Sequence, residues 1–164
     1  MNSFLFTYRE TEPTDRIWID TFISEHWGSN LVVVHNTSYC PSKLNGYIAC
    51  KEDEKIGLIT YQIKDEECEI VTLNSLIENN GVGSSLVRLV EKEVKGIGCK
   101  NIWLITTNDN LRAICFYQRL GYQLVNVYPN AVEESRKIKP EIPIIAENKI
   151  PIRDELKFCL RIVT

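Results

Sequence analysis

The feature that most narrows the choice of fold is a change of period near the middle of the chain. Residues 69–76 (EIVTLNSL) read as a strand, and residues 78–86 follow with Gly81 and Gly83. From Val82 to Val94 the apolar residues Val82, Leu86, Leu89, Val90 and Val94 recur at helical spacing, with Arg88, Glu91, Lys92 and Lys95 opposite them. Gly96 and Gly98 stop that helix, and Ile102-Trp103-Leu104-Ile105 is the fully apolar run of a central, buried strand. A strand, loop, amphipathic helix and buried strand in this order make a crossover unit, which places its two strands parallel in one sheet.

The flanks extend the sheet. Upstream, residues 4–8 read as a strand and Thr14-Asp15 as the cap of a helix over 16–26, with Ile17, Trp18, Phe22 and Ile23 near helical spacing. Residues 27–30 break it. Strand-like runs follow at 31–34, 47–50 and 56–63, separated by the charged turn 51–55 and closed by the polar turn 64–67. Downstream, Asn108-Asp109-Asn110 caps a helix ending at Leu120, with Gly121 as its stop. Residues 122–128 are a strand, prolines at 129, 140, 143 and 151 punctuate an irregular stretch, and 156–162 form a closing strand. The class is α/β (α+β): a mixed, mostly antiparallel twisted sheet flanked by helices around a central strand–loop–helix unit. With 164 residues and no repeat or linker, residues 1–164 read as one domain, its core at 4–128 and a C-terminal excursion with the last strand at 129–164.

Charge and cysteine usage exclude several functions. A net charge of −3 with a pI near 5.5 disfavours nucleic-acid binding, which needs clustered cations, and the basic run 136–139 reads as a solvated turn. Residues 1–8 lack the basic lead of a signal peptide, and no apolar stretch nears the roughly 20 residues that span a bilayer. Six cysteines without CxxC spacing read as reduced core thiols, which places the chain in the cytoplasm. His26 and His35 are too isolated to suggest a metal, so none is expected.

Two readings fit the loop Glu78-Asn79-Asn80-Gly81-Val82-Gly83-Ser84-Ser85. Its glycines serve helix–strand packing, or they let the backbone approach a ligand while helix-start N–H groups and the helix dipole hold a diphosphate. It is not a Walker loop, having no Lys after the second glycine, and it lacks the third glycine of a dinucleotide fingerprint.

About 30 residues on stands a second segment, Asn110-Leu-Arg-Ala113-Ile-Cys-Phe116-Tyr117-Gln-Arg-Leu120-Gly121-Tyr122. Together the two segments resemble the GNAT superfamily of N-acetyltransferases. In that family an Arg/Gln-x-x-Gly-x-Gly/Ala loop opens a helix, and an Asn-x-x-Ala-x-x-Phe-Tyr-x-x-x-Gly-Phe/Tyr helix follows one strand later. The resemblance covers 69–128 closely and 4–63 by element order. One position departs from it: Glu78 stands where the family has Arg or Gln.

What the resemblance implies is direct acetyl transfer from acetyl-CoA, a co-substrate, to the amine of a small-molecule or peptide acceptor, by a monomer or homodimer. The backbone of Gly81, Val82, Gly83, Ser84 and Ser85 would cradle the pyrophosphate, the last two adding hydroxyls. The strand through Leu73 and Ser75 would lie along the pantetheine arm, with the Leu73 N–H on the acetyl carbonyl. Asn110 would contact the arm, or act as a helix cap, or both. Tyr117 would protonate the leaving thiolate; without its flanking pattern it reads as a core aromatic. Glu69 matches the glutamate of the histone acetyltransferase branch and would be the base, with Glu69, Val71 and Leu73 on one strand face. A solvated acid and a water relay remain open beside it. Trp27 would wall the acceptor side or simply pack, and the carboxylates of 150–155 would meet a cationic acceptor. Another class stays open: a non-catalytic acyl-CoA-binding sensor. A nucleotide-phosphate binder is a further alternative.

Overall fold

The computed structural model describes residues 5–163, so Phe4 of the expected first strand lies outside the described residues. In chain order the elements are β1 (Phe6–Glu10), α1 (Arg16–Trp27), β2 (Val32–Val34), β3 (Thr37–Tyr39), β4 (Asn45–Lys51), β5 (Glu54–Lys64) and β6 (Glu67–Ser75). Then come α2 (Val82–Gly96), β7 (Asn101–Thr107), α3 (Leu111–Arg119), β8 (Gln123–Tyr128), α4 (Ala131–Ile138) and β9 (Glu155–Arg161). Seven strands form one sheet in the order β1-β4-β5-β6-β7-β9-β8, and β2 and β3 form a separate ribbon. Every pairing is antiparallel except β6 with β7, the two strands joined by the crossover through α2. The mixed sheet and its central strand–loop–helix unit stand as the period change predicts.

Strand alternation divides the core into two layers. On one face Leu86, Val87, Val90 and Val94 of α2 pack on Ala49, Ile59, Ile70 and Ile102. On the other face Ile19, Phe22 and Ile23 of α1 pack on Ile48, Leu58 and Val71. Each such side chain contributes roughly 1.5–3 kcal/mol by leaving water. Both helices thus press on β4, β5 and β6 from opposite sides and fix the strand that carries the site.

Two features of β6 position that site. First, opposite Thr60 and Tyr61 the register shifts, so Thr60 pairs with Thr72, Tyr61 with Ile70, and Val71 is the extra residue of a β-bulge. The bulge keeps Val71 on the α1 face and sends Leu73 to the α2 face. The expectation that Glu69, Val71 and Leu73 share one face is therefore corrected, because strict alternation breaks at the bulge. Second, β6 and β7 pair only at Glu67↔Asn101, Cys68↔Ile102 and Glu69↔Trp103 and then part. Beyond Glu69 one edge of β6 faces a wedge-shaped gap.

Other differences have local causes. The irregular stretch after Pro129 contains α4, which buries only Val132 and Ser135 and so shows too little apolar periodicity to be read. The basic run is no solvated turn: the Arg136 guanidinium donates to the carbonyls of Ile142, Pro143 and Ile152, and the Lys139 ammonium to those of Trp27 and Leu31. All six cysteines are unpaired, but only Cys68 and Cys99 are buried and Cys115 is exposed. Among the described residues no helix is long and apolar enough to cross a membrane.

Candidate active site

The wedge begins with backbone groups. The Leu76 N–H donates to the Ile56 carbonyl of β5 at 2.8 Å. Since successive amides of a strand point to alternate edges, Leu73 and Ser75 turn their N–H groups the other way, into the gap. A buried backbone donor without a partner costs free energy comparable to a lost hydrogen bond. This edge is thus prepared for an acceptor.

The gap runs into the start of α2. Gly81 takes a left-handed φ of 75°, which a residue with a Cβ adopts only under strain, and no side chain caps the helix. The intrahelical ladder begins with Ser85 N–H to the Gly81 carbonyl at 2.9 Å. The N–H groups of Val82, Gly83 and Ser84 precede that ladder and carry the positive end of the helix dipole. Of the expected cradle, Ser85 therefore keeps its hydroxyl for a ligand while its amide is used by the helix. Ser75 is likewise partly committed: its hydroxyl donates to the Ile77 carbonyl at 2.8 Å and stiffens the loop.

The α3 helix closes the other side. Asn110 caps it, its side-chain oxygen accepting from the Ala113 N–H at 3.1 Å. Phe116 reaches the start of α2, where a Cβ on Gly83 would stand 3.4 Å from its ring. The neighbouring Tyr117 is buried, edge-on to Phe116 and Tyr122 with ring centroids 5.0 and 5.4 Å away. Burial pushes its phenol above the ordinary value, so it stays protonated throughout the neutral range. Glu78, the departure from the family pattern, forms an ion pair with Arg112 in the first turn of α3. A cation thus stands beside the glycine loop after all, supplied by another element.

On the α1 side a cavity of about 480 Å³ opens at the apex of the wedge, lined by Tyr39, Gln62, Glu67, Glu69 and Trp103 among others. Glu69 is 7% exposed and accepts from the Tyr39 hydroxyl at 2.6 Å. Burial pushes its carboxyl up, and the Tyr39 hydrogen bond and the charges of Lys157 and His35 only partly restore it. A carboxylate raised in this way is a stronger base than a solvated one, and at 7% exposure Glu69 is not the solvated residue of the alternative reading. The Lys157 ammonium lies over the Trp103 ring, 4.2 Å from its centroid. Trp27 donates its indole N–H to Asn74 of β6 at 2.9 Å, so it borders the same strand rather than only filling the core.

The carboxylates of 150–155 are not free for a cationic acceptor. Asp154 accepts from Arg153 and from the Asn130 backbone at the start of α4, and Glu155 is buried against His35 and Ser135. Sequence reasoning missed Tyr39, Trp103, Arg112 and His35, and it placed Glu155 toward the acceptor rather than against His35. Their partners lie between 30 and 120 residues away in the chain, and no local pattern marks them.

Comparison with known proteins agrees with this arrangement. The model of the acetyltransferase (GNAT) family matches residues 3–122. The uncharacterized protein YdhI of Bacillus subtilis (strain 168) is 49% identical over 138 residues, 84% of this chain and 86% of that one. Among solved structures, an IAA acetyltransferase from Bacillus cereus ATCC 14579 superposes with a TM-score of 0.70 at 16% identity, covering 96% of this chain and 100% of that one. A GNAT family acetyltransferase from Elizabethkingia anophelis with acetyl-CoA bound gives 0.67 at 20% identity, covering 96% and 98%. The split between β6 and β7, the uncapped glycine-led helix and the extended match converge on one conclusion: the chain belongs to the acetyltransferase (GNAT) family.

Proposed function

We propose that the protein, acting as one domain over residues 1–164, transfers an acetyl group from acetyl-coenzyme A to an amine by direct attack. The observation that carries this is the unpaired edge of β6 running into the uncapped start of α2. An extended amide-bearing arm fits the first as an added strand partner, and a diphosphate fits the second. The co-substrate supplies an activated thioester; the protein's residues do the rest. The amides of Val82, Gly83 and Ser84 and the hydroxyls of Ser84 and Ser85 hold the phosphates, with Arg112 beside them. Asn110 orients the start of α3 against the arm. The Leu73 N–H stabilises the oxyanion that develops on attack, a contribution of about 3 kcal/mol for one well-placed donor. Glu69 takes the proton that the nitrogen loses as it bonds to carbon, and Tyr117 protonates the departing sulfur.

Thiol release measured with acetyl-coenzyme A against a panel of primary amines tests the reaction. Binding without turnover would leave the acyl-CoA sensor in its place. Tyr117→Phe is expected to lower kcat by about 100-fold while leaving the calorimetric Kd for coenzyme A nearly unchanged. Equal losses in both would remove the acid role.

A further inference from the structure

An ammonium ion that becomes an amide sheds two protons from nitrogen, one before it attacks and one as the new bond forms. Glu69, at the apex, serves the second, and the first has no acceptor in the reading above, on which this inference rests. We propose that His35, held by the buried carboxylate of Glu155, takes the first proton from the incoming ammonium at Nε2.

The geometry is that of an oriented imidazole. His35 Nδ1 lies 2.8 Å from Glu155 Oε2. The Glu155 side chain is 5% exposed and that of His35 46%, so one ring nitrogen faces an interior carboxylate while the rest of the ring is open to solvent. Ser135 of α4 donates to the other Glu155 oxygen at 3.2 Å, and Tyr128 packs against the imidazole at a centroid distance of 4.2 Å with the rings tilted by 42°. A carboxylate accepting from Nδ1–H fixes the tautomer whose Nε2 carries the free lone pair. The backbone also marks the position. His35 and Asn36 form the turn of the β2–β3 ribbon with φ of 45° and 63°, where Asn, Asp or Gly is favoured.

The same ribbon carries Tyr39, which bonds Glu69, and the His35 charge acts on the Glu69 carboxyl, so the ribbon turn and the Glu69 cavity are neighbours. The titratable and charged groups around the imidazole and the Glu69 cavity are Glu155 and Lys157 of β9, Tyr128 of β8, Glu67 and Glu69 of β6, Lys64 of β5, Asp65 of the β5–β6 turn and Tyr39 of β3. In the proposed step an N–H bond of the ammonium breaks and an Nε2–H bond forms. The neutral amine moves on toward the thioester, and the imidazolium, balanced by Glu155, releases its proton through its exposed edge.

The pH dependence of kcat/KM tests this, using whichever aliphatic primary amine of the panel the protein acetylates. In His35→Gln, kcat/KM at pH 7 should fall about 30-fold, and the deficit should shrink steadily as pH rises toward about 10.4, where the amine becomes neutral in solution. Glu155→Gln keeps a hydrogen-bond acceptor for Nδ1–H and should show a smaller deficit with the same alkaline recovery. Unchanged Tm and coenzyme A affinity in either variant, with that recovery, support the step. A loss of equal size at every pH, as from a merely structural contact, overturns it. So does an imidazole ¹⁵N spectrum of the free wild-type protein showing the Nε2–H tautomer. If wild type acetylates an amine and both variants keep parallel profiles, this step alone falls. If wild type acetylates none, the reading beneath it falls too.

Discussion

Two buried carboxylates, Asp15 and Glu69, stand at opposite margins of the same half-sheet and behave in opposite ways. Asp15 is 2% exposed and receives two hydrogen bonds from Arg9 at 2.7 and 2.8 Å, one from Lys55 at 2.9 Å and one from the Glu12 N–H at 2.8 Å. Those donors hold its carboxyl well below the usual range, the Arg9 contact most of all, against the opposing effect of burial. Glu69 is 7% exposed and has one neutral donor, so burial wins and its carboxyl is raised. Burial alone therefore does not decide what a charge does; the count of donors does. The saturated carboxylate ties β1, β5 and the start of α1 together, whereas the undersaturated one is left ready to take a proton.

The contrast can be broken by substitution. The largest effect is expected for Glu69→Gln, with kcat/KM at pH 7 lowered about 100-fold and Tm unchanged or higher. The sign follows from the raised carboxyl: ionising Glu69 costs stability as pH rises through its folded-state value, and the amide escapes that cost. Next comes Asp15→Asn, expected to cost about 2 kcal/mol in urea unfolding at pH 7, a figure discounted because Arg9 is 41% exposed. A depressed carboxyl stabilises fully above its unfolded-state value, so the deficit should shrink progressively as pH falls below about 4 toward the far lower folded-state value. Coenzyme A affinity should not change. A large loss of turnover in folded Asp15→Asn would erase the distinction. The smallest effect belongs to Tyr39→Phe. Loss of the donor raises the Glu69 carboxyl further and moves the acidic limb of kcat/KM upward, for a loss that grows on the acidic side and fades on the alkaline side. An unmoved limb would mean that Glu69 is not the group that titrates.

Much of this arrangement was legible along the chain. The change of period at Gly81 places the crossover, and Asn110, Phe116 and Tyr117 stand on α3 as their spacing predicts. The element order predicts the sheet, and Ile102–Ile105 takes the central place its apolar run predicts, although only Ile102 and Leu104 are buried while Trp103 and Ile105 stay half-buried. The rest depends on distance and on backbone detail. A bulge at Val71 inserts one residue without a Gly or Pro to announce it, and so Leu73 changes faces. The pairing of His35 with Glu155 joins residues 120 apart, and neither neighbourhood hints at the other. Glu78 alone suggests repulsion of phosphate, and only the folded chain shows Arg112 beside it.

Three rungs between β6 and β7 hold the two halves of the main sheet together along their common edge, and all three lie at one end. Mechanically this is a clothes-peg, sprung at Glu69 and Trp103 with its jaws toward Ser75 and Thr107. Whatever slides between the jaws supplies the missing rungs, so occupancy and rigidity rise together. Amide deuterium uptake should register this as a comb: in the empty protein Leu73 and Ser75 exchange while Thr72 and Asn74 are shielded, and the teeth even out when the jaws are filled.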